Sequence, residues 1–409
     1  MATVVLLLAL IALSIHGTTG KRGAPDGLVA ASPAAPGVFD VTTFGVKHKD
    51  KVTEDETNSL NGLALGRAWN AACQSNSPGG VARLVIPKGQ YEVGPALFHG
   101  PCNSSVTVDI QGTLTPNPNG SIYPESYWLL FEDVAGVTIT GTGTIDGQGQ
   151  PYEYCKTRPD CSGNPNIKIF NSSNVLIEGP LNSINPTFAH IHISYSRNVT
   201  VRNMKMTAPE NSLRTDGVQI ALSEHITITN STISTGTDCV NIVHGSKDVT
   251  ITDVNCGPGS GISIGSYYTL MDIGTSISTS LDVEGVLVKR CNFIRTTNGL
   301  TIKTLLGAQG NKVSAVTFED LVMDHDTSPQ VPAKINDIHF KNIKGTSTTR
   351  DLVNFACSPV VPCEGVEIAD VDLVFDEKAI LGAALPVVPP ATCLNVKPIF
   401  NGKHDGINC

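Results

Sequence analysis

The feature that most constrains the fold is a short alternating segment that recurs along the chain. It has the form Val/Ile-x-Val/Ile/Phe-x followed by a polar residue or glycine, and its copies begin at Val137, Val175, Val199, Ile226, Val249, Val286, Val316, Ile338 and Val366. The steps between them are 38, 24, 27, 23, 37, 30, 22 and 28 residues. Alternation of β-branched and polar residues predicts strands. A recurrence of this length is typical of a solenoid.

Three short strands and three turns fit one such repeat, and stacked coils bury their inward Val and Ile residues against each other. We therefore predict an all-β fold, a right-handed parallel β-helix. A β-sandwich also has many short strands, but its sequence need not repeat at this step. Leucine-rich repeats fit less well, because their Leu-x-x-Leu-x-Leu pattern is absent.

A short amphipathic helix is predicted near the N-terminal end of the solenoid. It runs from Asn61 to Gln74, and its apolar face comprises Leu63, Leu65, Ala68, Trp69 and Ala72. Such a helix can cap the open end of a stack of strands. The predicted helix lies beside Cys73.

The first 38 residues are predicted to lie outside the folded domain. Residues 1–20 resemble a secretory signal peptide, because ten apolar residues at 4–13 are followed by small and polar ones. That run is too short to span a bilayer and no later stretch is longer, so no membrane association is expected. Residues 21–38, rich in Ala, Pro and Gly, are predicted to be a disordered linker. Residues 39–409 are predicted to form the single β-helix domain.

Eleven cysteines and five N-x-S/T sequons support a secreted, extracellular glycoprotein. Local spacing suggests the disulfide pairs 73–102, 155–161, 239–256, 357–363 and 393–409, which leaves Cys291 unpaired, although spacing alone does not fix connectivity. The formal net charge of −9 argues against a nucleic-acid partner. No metal or cofactor is indicated, and a monomer is expected.

A second alignment runs through the middle coils and brings polar residues into one row. Its members are Thr215-Asp216-Gly217, Thr237-Asp238-Cys239, Gly259-Ser260-Gly261 and Thr297-Asn298-Gly299, each followed by a short apolar strand. In a parallel stack, equivalent residues lie about 4.8 Å apart. Two carboxylates at that spacing can share a proton, which suits the cleavage of a glycosidic bond. The alternative is that such ladders only satisfy the backbone of the turns.

Two longer motifs carry a family resemblance. They are Gly141-Thr-Gly-Thr-Ile-Asp146-Gly-Gln-Gly149 and Cys256-Gly-Pro-Gly-Ser260-Gly-Ile-Ser-Ile-Gly265. Over about residues 38 to 373 the chain resembles glycoside hydrolase family 28, the polygalacturonases, and is most similar to the plant pollen-type exopolygalacturonases. The resemblance implies a protein of the plant cell wall that hydrolyses α-1,4-galacturonosyl linkages of pectin with inversion.

The resemblance also assigns site residues, and the chain departs from the family at several of them. Asp216 and Asp238 match the aspartates that activate water, and Lys303 matches a cation that binds the galacturonate carboxylate. The family's acid, histidine and arginine positions are occupied here by Thr237, Ser260 and Thr301. Arg214 replaces an asparagine and adds a positive charge to the expected substrate-binding set.

These replacements leave two hypotheses open. General acid catalysis is worth about 10²–10⁴-fold, and a threonine hydroxyl cannot supply the proton near neutral pH. Threonine also cannot reproduce the paired hydrogen bonds of arginine to a carboxylate. The chain is therefore either a pectin hydrolase in which one of the two aspartates acts as the acid, or a catalytically impaired relative that binds pectin or has a structural role in the wall.

Overall fold

The computed structural model describes residues 37–51, 57–118, 122–123, 127–149, 163–212, 214–265, 282–302, 312–326, 335–357, 362–376, 391–404 and 407. The chain divides into a unit from Met1 to Ala34, which lies outside the described residues, and a unit from Ala35 to Cys409, which contains them all. The predicted signal peptide and all but the last two residues of the predicted linker lie outside the described residues.

Short strands dominate the described part of the chain. Its helices are the 3₁₀ helices η1 (Val41–Phe44), η2 (Lys49–Lys51) and η3 (Pro78–Gly80) and the α-helix α1 (Thr57–Cys73). The strands are β1 (Val38–Asp40), β2 (Val81–Ile86), β3 (Gln90–Val93), β4 (Ala96–His99), β5 (Ser105–Ile110), β6 (Thr113–Pro116), β7 (Leu129–Glu132), β8 (Val137–Thr140), β9 (Thr144–Asp146), β10 (Ile167–Phe170), β11 (Ser173–Glu178), β12 (Asn182–Ile184), β13 (Ala189–Ser194), β14 (Arg197–Arg202), β15 (Lys205–Thr207), β16 (Asp216–Ala221), β17 (Glu224–Thr229), β18 (Thr232–Ser234), β19 (Val240–Ile242), β20 (Lys247–Thr252), β21 (Asn255–Cys256), β22 (Ile262–Ile264), β23 (Val283–Lys289), β24 (Asn292–Ile294), β25 (Leu300–Ile302), β26 (Val313–Asp326), β27 (Ile335–Ser347), β28 (Val353–Ala356), β29 (Glu364–Phe375), β30 (Ala391–Leu394) and β31 (Ile399–Asn401).

The strands stack into three long parallel sheets. Sheet 1 runs from β1 through β2, β5, β8, β11, β14, β17, β20, β23, β26, β27 and β29 to β31, and sheet 2 runs from β3 through β6, β9, β12, β15, β18, β21 and β24 to β26. Sheet 3 contains β4, β7, β10, β13, β16, β19, β22 and β25, and a small separate sheet pairs β28 with β30. The central coils each contribute one strand to each long sheet in turn, as in β14, β15 and β16. This is a parallel β-helix, and the fold prediction is confirmed.

The recurring apolar residue forms one continuous buried row in sheet 1. Val175, Val199, Ile226, Val249, Val286, Val316, Ile338 and Val366 are direct partners in successive strands, and each is at most 2% exposed. Val137 joins the row because the next residue, Thr138, pairs with Leu176. The two long steps contain the connections from β9 to β10 and from β22 to β23. The repeat therefore specifies which strands pair and in which register.

The polar residue that ends each repeat forms the turn between sheets 1 and 2. Asn203 and Asn230 occupy this position with φ values of 57° and 47°. Asparagine adopts this left-handed conformation more readily than most residues. The Nδ2 of Asn230 donates to Oδ1 of Asn203 at 2.7 Å, so the side-chain amides also stack along the solenoid.

Helix α1 packs against the first coil, as the predicted cap does. It begins at Thr57, four residues before the predicted start, and ends at Cys73. Trp69 is fully buried, and its Nε1 donates to the carbonyl of His99 at 3.0 Å. One member of the predicted apolar face is wrong, because Leu63 is 59% exposed. Within the described residues, no helix is long and apolar enough to span a bilayer.

Three of the predicted disulfides are present, Cys73–Cys102, Cys239–Cys256 and Cys357–Cys363. Cys291 is a buried free thiol, as predicted. Cys393 is disulfide-bonded. The predicted partner of Cys393, Cys409, and the predicted pair 155–161 lie outside the described residues.

Candidate active site

Two neighbouring coils bring the predicted aspartates together at one edge of sheet 3. Asp216 is the first residue of β16, and Asp238 lies two residues before β19. The strands pair Val218 with Val240 and Val240 with Ile262, and the next strand follows in the same register. The offsets of 22, 22 and 38 residues used in the sequence alignment are therefore the offsets of the folded chain.

The turn that carries Thr237 and Asp238 packs tightly against Ser212 and Thr215 of the preceding coil. The N–H of Gly236 donates to Oγ1 of Thr215 at 3.0 Å, and Oγ1 of Thr215 lies 2.6 Å from Oγ of Ser212. A Cβ at Gly236 would lie only 1.9 Å from the carbonyl oxygen of Ser212, so no larger residue fits here. Immediately after the turn, the disulfide of Cys239 anchors the chain to the next coil.

The carboxylate of Asp216 is buried, with 7% exposure, and is surrounded by donors. Its Oδ1 accepts hydrogen bonds from Thr237 Oγ1 at 2.6 Å and from the Asp238 N–H at 3.2 Å. Its Oδ2 accepts from Asn241 Nδ2 at 3.0 Å. Hydrogen bonds to a carboxylate stabilise its negative charge. Asp216 is thus fixed in orientation, and Thr237, at the expected acid position, is a partner of Asp216.

A cleft of about 180 Å³ opens beside this pair of aspartates. It is lined by Phe188, Arg214, Asp216, Thr237, Asp238, Asn241, Val243, Ser263, Ile264 and Gly265. Arg214 is exposed, so the residues that line the cleft include a solvent-accessible cation. The arrangement combines two carboxylates, a positive charge and a row of uncharged polar groups. That combination suits an acidic carbohydrate and acid–base cleavage of its linkage.

The other predicted site residues, Ser260, Thr301 and Lys303, are not among the residues that line the cleft in the described part of the chain. Ser260 touches the turn through its backbone, since its N–H donates to the carbonyl of Thr237 at 2.7 Å, but its side chain is not among the described residues that line the cleft. Thr301 pairs in register with Ser263, one strand beyond the cleft, and is 1% exposed. Lys303 lies outside the described residues.

Comparison with known proteins decides the family. The model for glycosyl hydrolases family 28 matches residues 73–384 of the chain. The chain belongs to glycosyl hydrolase family 28.

Plant proteins are among the sequences similar to this chain. An exopolygalacturonase of Arabidopsis thaliana is 36% identical over 406 residues, which cover 94% of this chain and 89% of the relative. An exopolygalacturonase of Platanus acerifolia is 35% identical over 391 residues, covering 90% and 96%.

Solved structures agree on the fold. The endo-xylogalacturonan hydrolase of Aspergillus tubingensis superposes with a TM-score of 0.67 at 22% identity, covering 89% of this chain and all of that one. The polygalacturonase of Erwinia carotovora gives a TM-score of 0.64 at 21% identity, covering 92% of this chain and all of that one.

Sequence reasoning did not assign six of the residues that line this family 28 cleft, Phe188, Asn241, Val243, Ser263, Ile264 and Gly265. Asn241 and Ser263 occupy the middle of the apolar strands that follow the aligned polar positions, and their side chains alternate with buried Val and Ile. Period-2 alternation in those strands could have identified them, because it places every second side chain on the outer face. Phe188 precedes β13 and carries no comparable signal.

His192, in the strand that pairs with β16, is uncharged at weakly acidic pH. His192 pairs in register with Gln219, and its ring centre lies 6.1 Å from that of Phe188. Burial, with a smaller contribution from the positive charge of Lys168, lowers the pKa of His192 to about 4. A protonated imidazole at this place is therefore scarce above about pH 5. Within the described residues, no cluster of three or more metal-ligating side chains exists.

Proposed function

We propose that this family 28 protein is a secreted polygalacturonase of the plant cell wall that hydrolyses the α-1,4-galacturonosyl linkages of pectin with inversion. The observation that carries the proposal is the pairing of Asp216 and Asp238 beside one cleft. The relatives named exopolygalacturonase, which match over at least nine-tenths of this chain, support the same substrate.

The surroundings of the two aspartates suggest different roles. Asp216 accepts three hydrogen bonds that stabilise its charge, so we assign it to hold and deprotonate the attacking water. Asp238 is more exposed and lines the same cleft, so we assign it to protonate the leaving oxygen. This assignment replaces the acid that Thr237 cannot supply.

Substrate binding is assigned to groups around this pair. Arg214 lines the cleft and can attract a galacturonate carboxylate. Lys303 is proposed as a second cation from its place in the sequence, and Thr301, which pairs in register with Ser263, is proposed as a further binding residue. A local positive charge is needed here because the whole chain carries a net charge of −9.

Release of reducing ends from polygalacturonic acid by the purified protein, across pH 4–7, tests the proposal. The matched variants are Asp216→Asn and Asp238→Asn, which keep the shape of each side chain and remove its charge. We expect release by the wild type and a loss of at least about 10²-fold in each variant. Product sizes then distinguish attack at chain ends from attack within the chain.

A second candidate function is binding of pectin without cleavage. It is favoured by one observation, the hydrogen bond from Thr237 to Asp216, which places a group with no available proton at the expected acid position. The same assay decides between the two. A folded wild-type protein that binds polygalacturonate in calorimetry and releases no reducing ends supports the binding function and refutes the hydrolase.

The remaining proposals concern the whole protein. We propose a signal peptide at residues 1–20, a linker at 21–38 and one domain at 39–409, with a monomer as the working form. N-terminal sequencing of the secreted protein checks the first boundary, and its mass in solution by light scattering checks the monomer.

A further inference from the structure

One row of side chains crosses the outer face of sheet 3 and passes under the cleft. Successive strands pair Lys168 with His192, Gln219, Asn241 and Ser263 in turn, and these residues alternate with the buried side chains of the core. Of this row, the described residues that line the cleft are Asn241 and Ser263. The cleft therefore extends towards β22 and does not follow the row back to β13 and β10.

Phe188 stands at the end of the cleft where the row becomes covered. It is the residue before β13, and the next residue, Ala189, pairs with Asp216. The ring of Phe188 makes a T-shaped contact with that of His192, with ring centres 6.1 Å apart, so it packs on the outer face of β13. Among the described lining residues, Phe188 is the one contributed by the coil of β13. It therefore forms the wall of the cleft at this end.

The segment that carries Phe188 is held firmly to the preceding coil. The N–H of Asn164 donates to Thr187 Oγ1 at 2.9 Å, and Thr187 Oγ1 lies 3.0 Å from the carbonyl oxygen of Asn164, to which it donates. A Cβ at Gly163 would lie only 1.9 Å from the carbonyl oxygen of Thr187, so the two segments touch closely. These contacts fix the backbone beside Phe188, as a wall that limits the length of a bound chain requires.

The wall is close to the two aspartates. The coil of Phe188 is next to the coil of Asp216, and Asp238 lies one coil farther on. Neighbouring strands are about 4.8 Å apart, and a galacturonosyl unit is about as long as one such spacing. The wall therefore leaves room for one unit on its side of the reacting bond. The other units extend towards β22 and β25, the strand that Lys303 follows.

We propose that Phe188 restricts this protein to chain ends: its ring closes the cleft beyond one galacturonosyl unit, so that each cleavage removes a single galacturonic acid. An internal stretch of a galacturonan cannot then lie across the aspartates, because the chain would have to pass through the ring. The inference rests on the proposed function and adds the mode of attack and the residue that sets it.

The early products from polygalacturonic acid test the proposal. We expect the wild type to release monogalacturonic acid alone, with little loss of viscosity for each reducing end formed. In Phe188→Ala a chain can pass the wall, so oligomers should join the early products and the viscosity should fall faster for each reducing end. Oligomers among the first products of the wild type, or an unchanged product pattern in Phe188→Ala, overturn the proposal.

Two variants control for structural effects. Phe188→Tyr keeps the ring and should keep the release of single units. Phe170→Ala removes a ring of the same burial class at the end of β10, outside the described lining of the cleft, and should also keep it. The same change of products in Phe170→Ala as in Phe188→Ala would show a general loosening of the coils and overturn the assignment. If Phe188→Ala does not fold, Phe188→Leu, which also removes the ring, takes its place.

Binding separates this inference from the proposed function. Calorimetry of the Asp238→Asn variant with a long polygalacturonate of uniform length measures how many protein molecules bind one chain without cleavage. We expect a single protein per chain while Phe188 is present, because a chain end must enter the cleft, and several per chain when Phe188→Ala is added. If the wild type releases no reducing ends but these stoichiometries are found, the hydrolase proposal fails and the wall stands. If the wild type cleaves and several Asp238→Asn molecules bind each chain, the wall alone fails.

Discussion

The buried side chain of His190 should make this protein less stable as the pH falls below about 6.5. His190 in β13 is completely buried, its Nδ1 lies 2.8 Å from Ser183 Oγ, and among the described residues its Nε2 has no hydrogen-bond partner. Burial lowers the pKa of His190 from 6.5 to about 3. Between these two values the unfolded chain binds a proton that the folded chain does not.

The magnitude follows from that difference. Because the pKa in the folded state is depressed, the contribution of His190 to stability is complete above about pH 6.5 and is lost as the pH falls towards 3. Each pKa unit corresponds to about 1.36 kcal/mol. Between pH 7 and pH 4.5 the free energy of unfolding should therefore fall by about 2 to 3 kcal/mol through this residue alone.

The variant His190→Gln cannot titrate and should lose this part of the pH dependence, whatever its stability at pH 7. Urea unfolding followed by circular dichroism at pH 7 and pH 4.5 measures the free energy of unfolding for wild type and variant. His225→Gln, which changes an exposed histidine on sheet 1, serves as the matched control and should behave as the wild type. Equal losses of stability in wild type and His190→Gln would refute the reasoning.

Four further predictions concern the site and the core. Because Asp238 is assigned as the acid, Thr237→Asp should raise the rate of reducing-end release by much less than the 10²–10⁴-fold, roughly, that general acid catalysis is worth, and a rise of that size would show that the wild-type chain lacks an acid. Replacing Cys239 and Cys256 together by serine opens a loop of 17 residues and should lower the free energy of unfolding by about 3 kcal/mol, measured as a lower Tm. Ile228→Ala removes a fully buried side chain and should lower the free energy of unfolding, measured in urea, by about 2–5 kcal/mol. A decrease of less than about 1 kcal/mol would show that the coil closes around the gap. Burial raises the pKa of Cys291 to about 11, so iodoacetamide at pH 8 should label it only after denaturation, as mass spectrometry can show.

The local signals of the sequence were sufficient where each residue interacts mainly with its equivalents in neighbouring coils. The row from Val175 to Val366 and the alignment of Val218 with Val240 are such cases, because a parallel stack brings equivalent positions together. The disulfides Cys73–Cys102, Cys239–Cys256 and Cys357–Cys363 also join residues that are close in sequence and in neighbouring parts of the stack.

Positions that depend on contacts between different surfaces could not be predicted in this way. The exposure of Leu63 depends on which side of α1 faces the first coil, and a weakly amphipathic helix does not specify that side. Ser260 lies in the turn before β22, and the spacing of the sequence does not tell which side chains of that turn line the cleft.

The sequence by itself determined the repeat, the strand register and the presence of two aspartates at equivalent positions in consecutive coils, because these follow from periodicity along one chain direction. Only the tertiary structure decided that Thr237, Asn241 and the Asp238 N–H all point at the Asp216 carboxylate. Only the tertiary structure shows that, among the described residues, the Ser263 hydroxyl has no hydrogen-bond partner. Hydrogen bonds depend on distances of a few tenths of an ångström between side chains of different coils, and no spacing in the sequence encodes those distances.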